Sequence, residues 1–101
     1  MDKYGRERRT AVRVPLRNDA KIIPPPPHTS HPAVCADIGV GGMTLLTRYV
    51  PKEGEIFEVL VEPNAQSLNG GTMHARVQVR RSQATEDGLY SLGVEILEVI
   101  R

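Results

Sequence analysis

The chain reads as all-β, a small six-stranded antiparallel barrel preceded by a flexible basic arm, and three observations predict it. Apolar and polar residues alternate in successive short runs, the period of a strand with one buried face. Clusters of proline and glycine punctuate those runs, where turns are needed. No segment carries the i, i+3, i+4 apolar spacing of an amphipathic helix. Six short strands in an open sheet would leave two bare edges, and closure into a barrel removes them.

Residues 1–13 are charged and lack an apolar face, so they read as the arm, with 14–101 as the barrel. The first strand is expected over 16–23, and the four prolines 24–27 end it because proline has no N–H to give to a ladder. Strands over 33–38 and 43–47 pair through the glycine-rich turn 39–42. Pro51, Lys52, Glu53 and Gly54 form a turn by composition, and a fourth strand over 55–62 puts Phe57, Val59 and Val61 on one face. Gly70 and Gly71 close a loop. Over 73–79, Met73, Ala75, Val77 and Val79 point one way, and His74, Arg76, Gln78 and Arg80 the other. Glu86, Asp87 and Gly88 turn the chain into a last strand whose core face is Tyr90, Leu92, Val94 and Ile96.

At 101 residues there is material for one core, too little for a separate cofactor domain. The net charge of +1 does not by itself argue for a polymeric nucleic acid or a membrane surface. Its distribution does carry information: Lys3, Arg6, Arg8, Arg9, Arg13 and Arg17 crowd the start, a local anion-binding feature. The single cysteine, Cys35, cannot form an internal disulfide, and no apolar run approaches the roughly 20 residues that span a bilayer. A cytoplasmic protein without membrane insertion is expected, and a monomer.

Read singly, an arginine-rich arm is a solvated tail and Asp-x-Gly-x-x-Gly is a hairpin turn. Together they carry more. Arg9-Thr10-Ala11-Val12-Arg13, followed by Asp37-Ile38-Gly39-Val40-Gly41-Gly42, resembles the two halves of the ligand motif of the PilZ family, Arg-x-x-x-Arg and then Asp or Asn-x-Ser-x-x-Gly. The resemblance extends over nearly the whole chain, through the proline-glycine turn before the fourth strand to the final Tyr90-Ser91-Leu92-Gly93-Val94-Glu95. It implies a six-stranded barrel and a receptor for the bacterial second messenger cyclic di-GMP, acting on a downstream protein partner.

That ligand has two guanines and two phosphates, and arginine matches both, because its planar fork pairs bidentately with phosphate or with a guanine edge and stacks on a purine face. By resemblance Arg9 and Arg13 take those roles, with Arg8 as an additional contact. Asp37 accepts from guanine N1 and N2, and Gly41 and Gly42 permit close approach. Gly39 stands where the family has serine, and the missing hydroxyl is expected to weaken binding by about 0.5–1.5 kcal/mol. The arm is expected to order on binding.

Other readings are weaker. A degenerate PilZ domain that binds no nucleotide and serves as a protein interaction module is the alternative, with Gly39 in its favour. A nucleic-acid-binding barrel lacks a stacking face, since Tyr4, Tyr49, Phe57 and Tyr90 are scattered and Phe57 and Tyr90 read as core. His28 and His31 have chelating spacing without further ligands, so they read as a polar loop. Cys35 in an apolar strand reads as a small core residue. Glu53, Glu55, Glu58 and Glu62 read as a solvated face. No catalytic triad, phosphate loop or metal signature is present, so neither an enzyme nor a cofactor is expected.

Overall fold

The computed structural model describes residues 14–27, 29–63, 71–85 and 87–100. Every strand foreseen from the alternation is there: β1 Val14–Ile23, β2 His31–Ile38, β3 Gly42–Thr47, β4 Ile56–Val61, β5 Met73–Ala84 and β6 Tyr90–Val99. They form a closed barrel in the order β1-β2-β3-β6-β5-β4, with each neighbouring pair antiparallel. Closure is made where β1 meets β4, Ala20 opposite Val61 and Ile22 opposite Val59. Each strand therefore has two neighbours, and none offers an unpaired edge.

The period-two pattern explains the interior. Phe57, Val59 and Val61 from β4, Ala75, Val77 and Val79 from β5, and Leu92 and Val94 from β6 are buried, as the alternation predicts. Ile22, Cys35, Met43 and Leu45 complete the core from the other wall, and Tyr90 and Ile96 pack at its margin. Two polar residues are buried with their hydrogen bonds made. Asn18 donates Nδ2 to the Glu62 carbonyl at 2.8 Å, and Thr47 donates Oγ1 to the Pro32 carbonyl at 2.8 Å while accepting from the Tyr49 N–H at 3.1 Å. A buried group left unpaired would cost about 1–3 kcal/mol.

Turn chemistry follows the composition. The Glu55 N–H donates to the Lys52 carbonyl at 3.1 Å, and Gly54 has φ 76°, the left-handed third position of a type II turn. Gly88, at φ 81°, occupies the same region in the turn before β6. At the hairpin between β2 and β3, the Gly39 N–H donates to the Gly42 carbonyl at 2.8 Å.

Four details differ from the sequence expectation. β1 begins two residues earlier, at Val14, because Pro15 sits beside a bulge between Pro15 and Asn18, a position that tolerates a missing N–H. β5 runs on to Ala84 because β6 supplies a partner through Tyr90. His31 starts β2 and stacks on Tyr49 with ring centroids 4.4 Å apart; His28 lies outside the described residues. The glutamates do more than face water. Glu55 accepts from the Tyr49 hydroxyl and from the Lys52 N–H, and Glu58 meets His74 at 2.7 Å.

Candidate functional site

Asp37 is aimed by an irregularity. Ala33 and Cys35 face the core, so strict alternation would send Asp37 inward as well. Between β2 and β3, however, Cys35 is opposite Leu45 and Asp37 opposite Thr44, so β2 carries one extra residue. This bulge reverses the alternation: Ile38 packs against the core and Asp37 turns to the outer face. Thr44, between the buried Met43 and Leu45, and Gly93, between the buried Leu92 and Val94, are outward by ordinary alternation.

The register joins these residues into one row across the barrel wall: Pro15 opposite Asp37, Asp37 opposite Thr44, Thr44 opposite Gly93, and Gly93 opposite Arg81. Its floor, Thr44 and Gly93, has no long side chain. The hairpin over residues 39–42 joins β2 to β3 beside the row, with Val40 at its tip 93% exposed. The Gly41 carbonyl accepts from the Ile96 N–H at 2.9 Å, which fixes the hairpin against β6.

Among the sequence-predicted residues, Asp37, Gly39, Gly41 and Gly42 are brought together at the end of β2 and the start of β3. Arg8, Arg9 and Arg13 lie outside the described residues. Gly41 is not in the left-handed region, and a Cβ there would meet nothing within 4 Å. Whatever requires a glycine at 41 is not the barrel itself.

The charge just under the row is visible in Cys35. Its thiol is fully buried, and burial first, then the negative charge of Asp37, push it up to about 11, so it is a core group and not a nucleophile. Sequence reasoning passed over Thr44, Gly93 and Arg81. Gly93 carried a usable signal, a glycine at an outward position inside a strand, which marks close approach of another group.

A second hollow, of about 420 Å³, lies away from this row between the prolines and β4, lined by Ile23, Pro24, Pro26, Ile56 and Phe57. Glu58 and Arg76 also line it, and it shares no residue with the row. Among the described residues no group of three His, Cys, Asp or Glu could hold a metal ion, and no helix is long and apolar enough to cross a membrane.

The PilZ domain family model matches residues 7–101. In fold the chain is similar to the Bacillus subtilis inhibitor of motility (MotI/DgrA), with a TM-score of 0.75 and 18% identity over 93% of this chain and 44% of that one. It is also similar to the PilZ domain with c-di-GMP of YcgR from Escherichia coli, with a TM-score of 0.69 and 17% identity over 91% of this chain and 79% of that one. At such identities the likeness is one of fold, and the chain spans less than half the length of the first of these proteins. No curated protein sequence matches it significantly.

Proposed function

The chain belongs to the PilZ domain family, and on that footing we propose that it is a cytoplasmic cyclic di-GMP receptor which couples ligand binding, through closure of its N-terminal arm, to a protein partner. The observation that carries this reading is the register at the start of β1. Val14 pairs with Ile38 and Pro15 with Asp37, so Arg13 is covalently one residue from the strand position beside the second motif. A chain extends at most about 3.6 Å per residue, which keeps Arg9 within about 18 Å of Val14. That tether supports the reading, because it keeps the first half of the motif within reach of the second.

Each group has a role that its chemistry fits. The guanidinium groups of Arg9 and Arg13 grip phosphate and the guanine O6 and N7 edge, with Arg8 beside them. Asp37, turned outward by its bulge, accepts from guanine N1 and N2. The open space around Gly41 lets the ligand approach the hairpin backbone. Ordering the arm costs about 1–2 kcal/mol per residue, so closure is a population shift driven by contacts made only with ligand present.

A second reading has one specific observation in its favour. Gly39 has no hydroxyl where the family has serine, as a domain that has given up the nucleotide and kept only a protein contact would have. Isothermal titration separates the two. Cyclic di-GMP is expected to bind the chain saturably, GTP is not, and Arg9→Ala, Arg13→Ala and Asp37→Ala are each expected to lose at least tenfold in affinity, about 1.4 kcal/mol or more. No heat and no competition at high micromolar cyclic di-GMP would overturn the receptor reading in favour of the interaction module.

A further inference from the structure

β4 is apolar on both of its faces. Phe57, Val59 and Val61 fill the core, and the residues that alternate with them are Ile56, Glu58 and Leu60. An antiparallel strand with one wet face carries polar residues on that face, and a run such as Ile56-Phe57-Glu58-Val59-Leu60-Val61 has the pattern of a strand covered on both sides. The barrel covers only the inner side.

The apolar wall continues across β5 to β6. Two bulges interrupt the pairing of these strands: Arg80 is an extra residue on β5 between Val79 and Arg81, and Leu97 is an extra residue on β6 between Ile96 and Glu98. Ile96 packs against the core, whereas Leu97, like Ile56 and Val99, is 40% exposed or more. Among the described residues these three are joined as exposed large apolar side chains only by Val40 and Val50, which stand on separate loops. Such clustering marks an interaction surface. The hollow of about 420 Å³ opens beside it, between the prolines and Ile56.

The charged groups of this wall are already paired within the chain. Glu58, Arg76 and Glu98 lie in register across β4, β5 and β6. Arg76 holds Glu98 at 2.7 Å, and Glu58 meets His74 at 2.7 Å. Covering the wall therefore strands none of these groups, and a stranded charge is what makes burial costly. The row alternates in sign, so it selects no partner of a single charge and does not repel its own copy. The chain's net charge of +1 adds little long-range repulsion between copies.

We propose that this outer wall, centred on Arg76 and running from Ile56 and Leu60 to Leu97 and Val99, is a self-association surface on which a second copy of the chain docks, in place of the monomer expected from the sequence. The apolar residues, the hollow and the charge row lie on one wall, so two copies offer the same surface to each other and the contact closes at two. The wall shares no residue with the row through Asp37, Thr44 and Gly93, which stays open in both copies. The contact needs no nucleotide and stands apart from the receptor reading.

The test is sedimentation equilibrium without nucleotide, from about 10 μM to about 1 mM chain, on the parent and on Ile56→Lys, Leu60→Lys and Val40→Lys. Unfolding temperatures at the lowest concentration check each fold. The parent is expected to pass from the 11.1 kDa of one chain toward twice that mass. Ile56→Lys and Leu60→Lys are each expected to raise the dissociation constant at least about tenfold. Val40→Lys, which changes a more exposed apolar residue on the hairpin, is expected to dimerise as the parent does. A parent of single-chain mass throughout overturns the proposal and leaves the wall to a different protein. Parent-like dimerisation of both wall variants, or its loss in Val40→Lys, overturns the assignment to this wall. Masses that grow past two chains overturn the reciprocal contact.

Discussion

Cys35 and Asp37 are two residues apart and face opposite sides of the barrel wall, so a thiol in the core feels a carboxylate on the surface. Burial first and that charge second raise the thiol to about 11 from an ordinary 9.0. The folded state thus keeps a proton that the unfolded chain gives up. Stability from this group is fully present below pH 9 and is lost as pH rises toward 11, by on the order of 2 kcal/mol. Tyr49, raised to about 12 by burial and then by its hydrogen bond to Glu55, acts in the same direction just above. Urea midpoints are expected to fall between pH 9 and 11, and Cys35→Ala to flatten the fall. Iodoacetamide at pH 8 is expected to leave Cys35 unmodified until urea is added; prompt labelling of the native chain would show the thiol to be accessible. Gly39 supports a gain-of-function prediction. It lies outside the left-handed region, so serine fits its backbone. Gly39→Ser is expected to tighten cyclic di-GMP binding by about 0.5–1.5 kcal/mol, roughly two- to tenfold, in a titration. Unchanged affinity would mean that the family hydroxyl has no counterpart contact here.

The six strands were legible because each buries one face, and a buried face writes a period of two into the chain. Phe57, Val59 and Val61 and the set from Ala75 to Val79 needed nothing more. The bulges were not legible. Nothing in the local composition around Ala36 or Arg80 marks an extra residue, since a bulge is a relation between two strands and shows only once their register is known. Asp37 was found by its motif despite this, and Arg81 was missed for want of one. Strict alternation had put Arg80 outward, which leaves Arg81 facing the core. The glycines divide in the same way, since composition alone does not say which are needed by the backbone. Gly54 has φ 76°, and a Cβ there would meet only Gln78 Nε2, at 3.9 Å. Gly54→Ala is therefore expected to cost about 1–2 kcal/mol through backbone conformation alone. Gly41→Ala, with open space and no left-handed angle, is expected to change unfolding free energy by less than about 0.5 kcal/mol. Chemical denaturation of the two variants reads the contrast directly, and equal losses would place a structural demand on Gly41 that its geometry does not show.

In the closed order β1-β2-β3-β6-β5-β4, β3 and β4 are opposite walls, three strands apart in either direction. The candidate row is centred on the outer face of β3, and the largest core side chain, Phe57, projects inward from β4 at 2% exposure. Site and core thus share a scaffold without sharing atoms, and perturbations at separated places add within about 0.3–0.5 kcal/mol. A ligand that binds only the folded chain stabilises it by about 2.7 kcal/mol at a hundredfold excess over Kd. In a small domain each kcal/mol moves the unfolding temperature by about 4–8 °C. Phe57→Leu leaves a hole in the β4 wall and is expected to cost about 1–2 kcal/mol without ligand. At matched saturation, cyclic di-GMP is expected to add the same free energy to the parent chain and to Phe57→Leu, so that two unfolding curves displaced by the mutation are displaced again, equally, by the ligand. A smaller increment in Phe57→Leu would mean that the β4 wall helps to set the geometry of Asp37, Thr44 and Gly93. The barrel would then transmit strain from core to surface, and the outer-face site would depend on packing as well as on register.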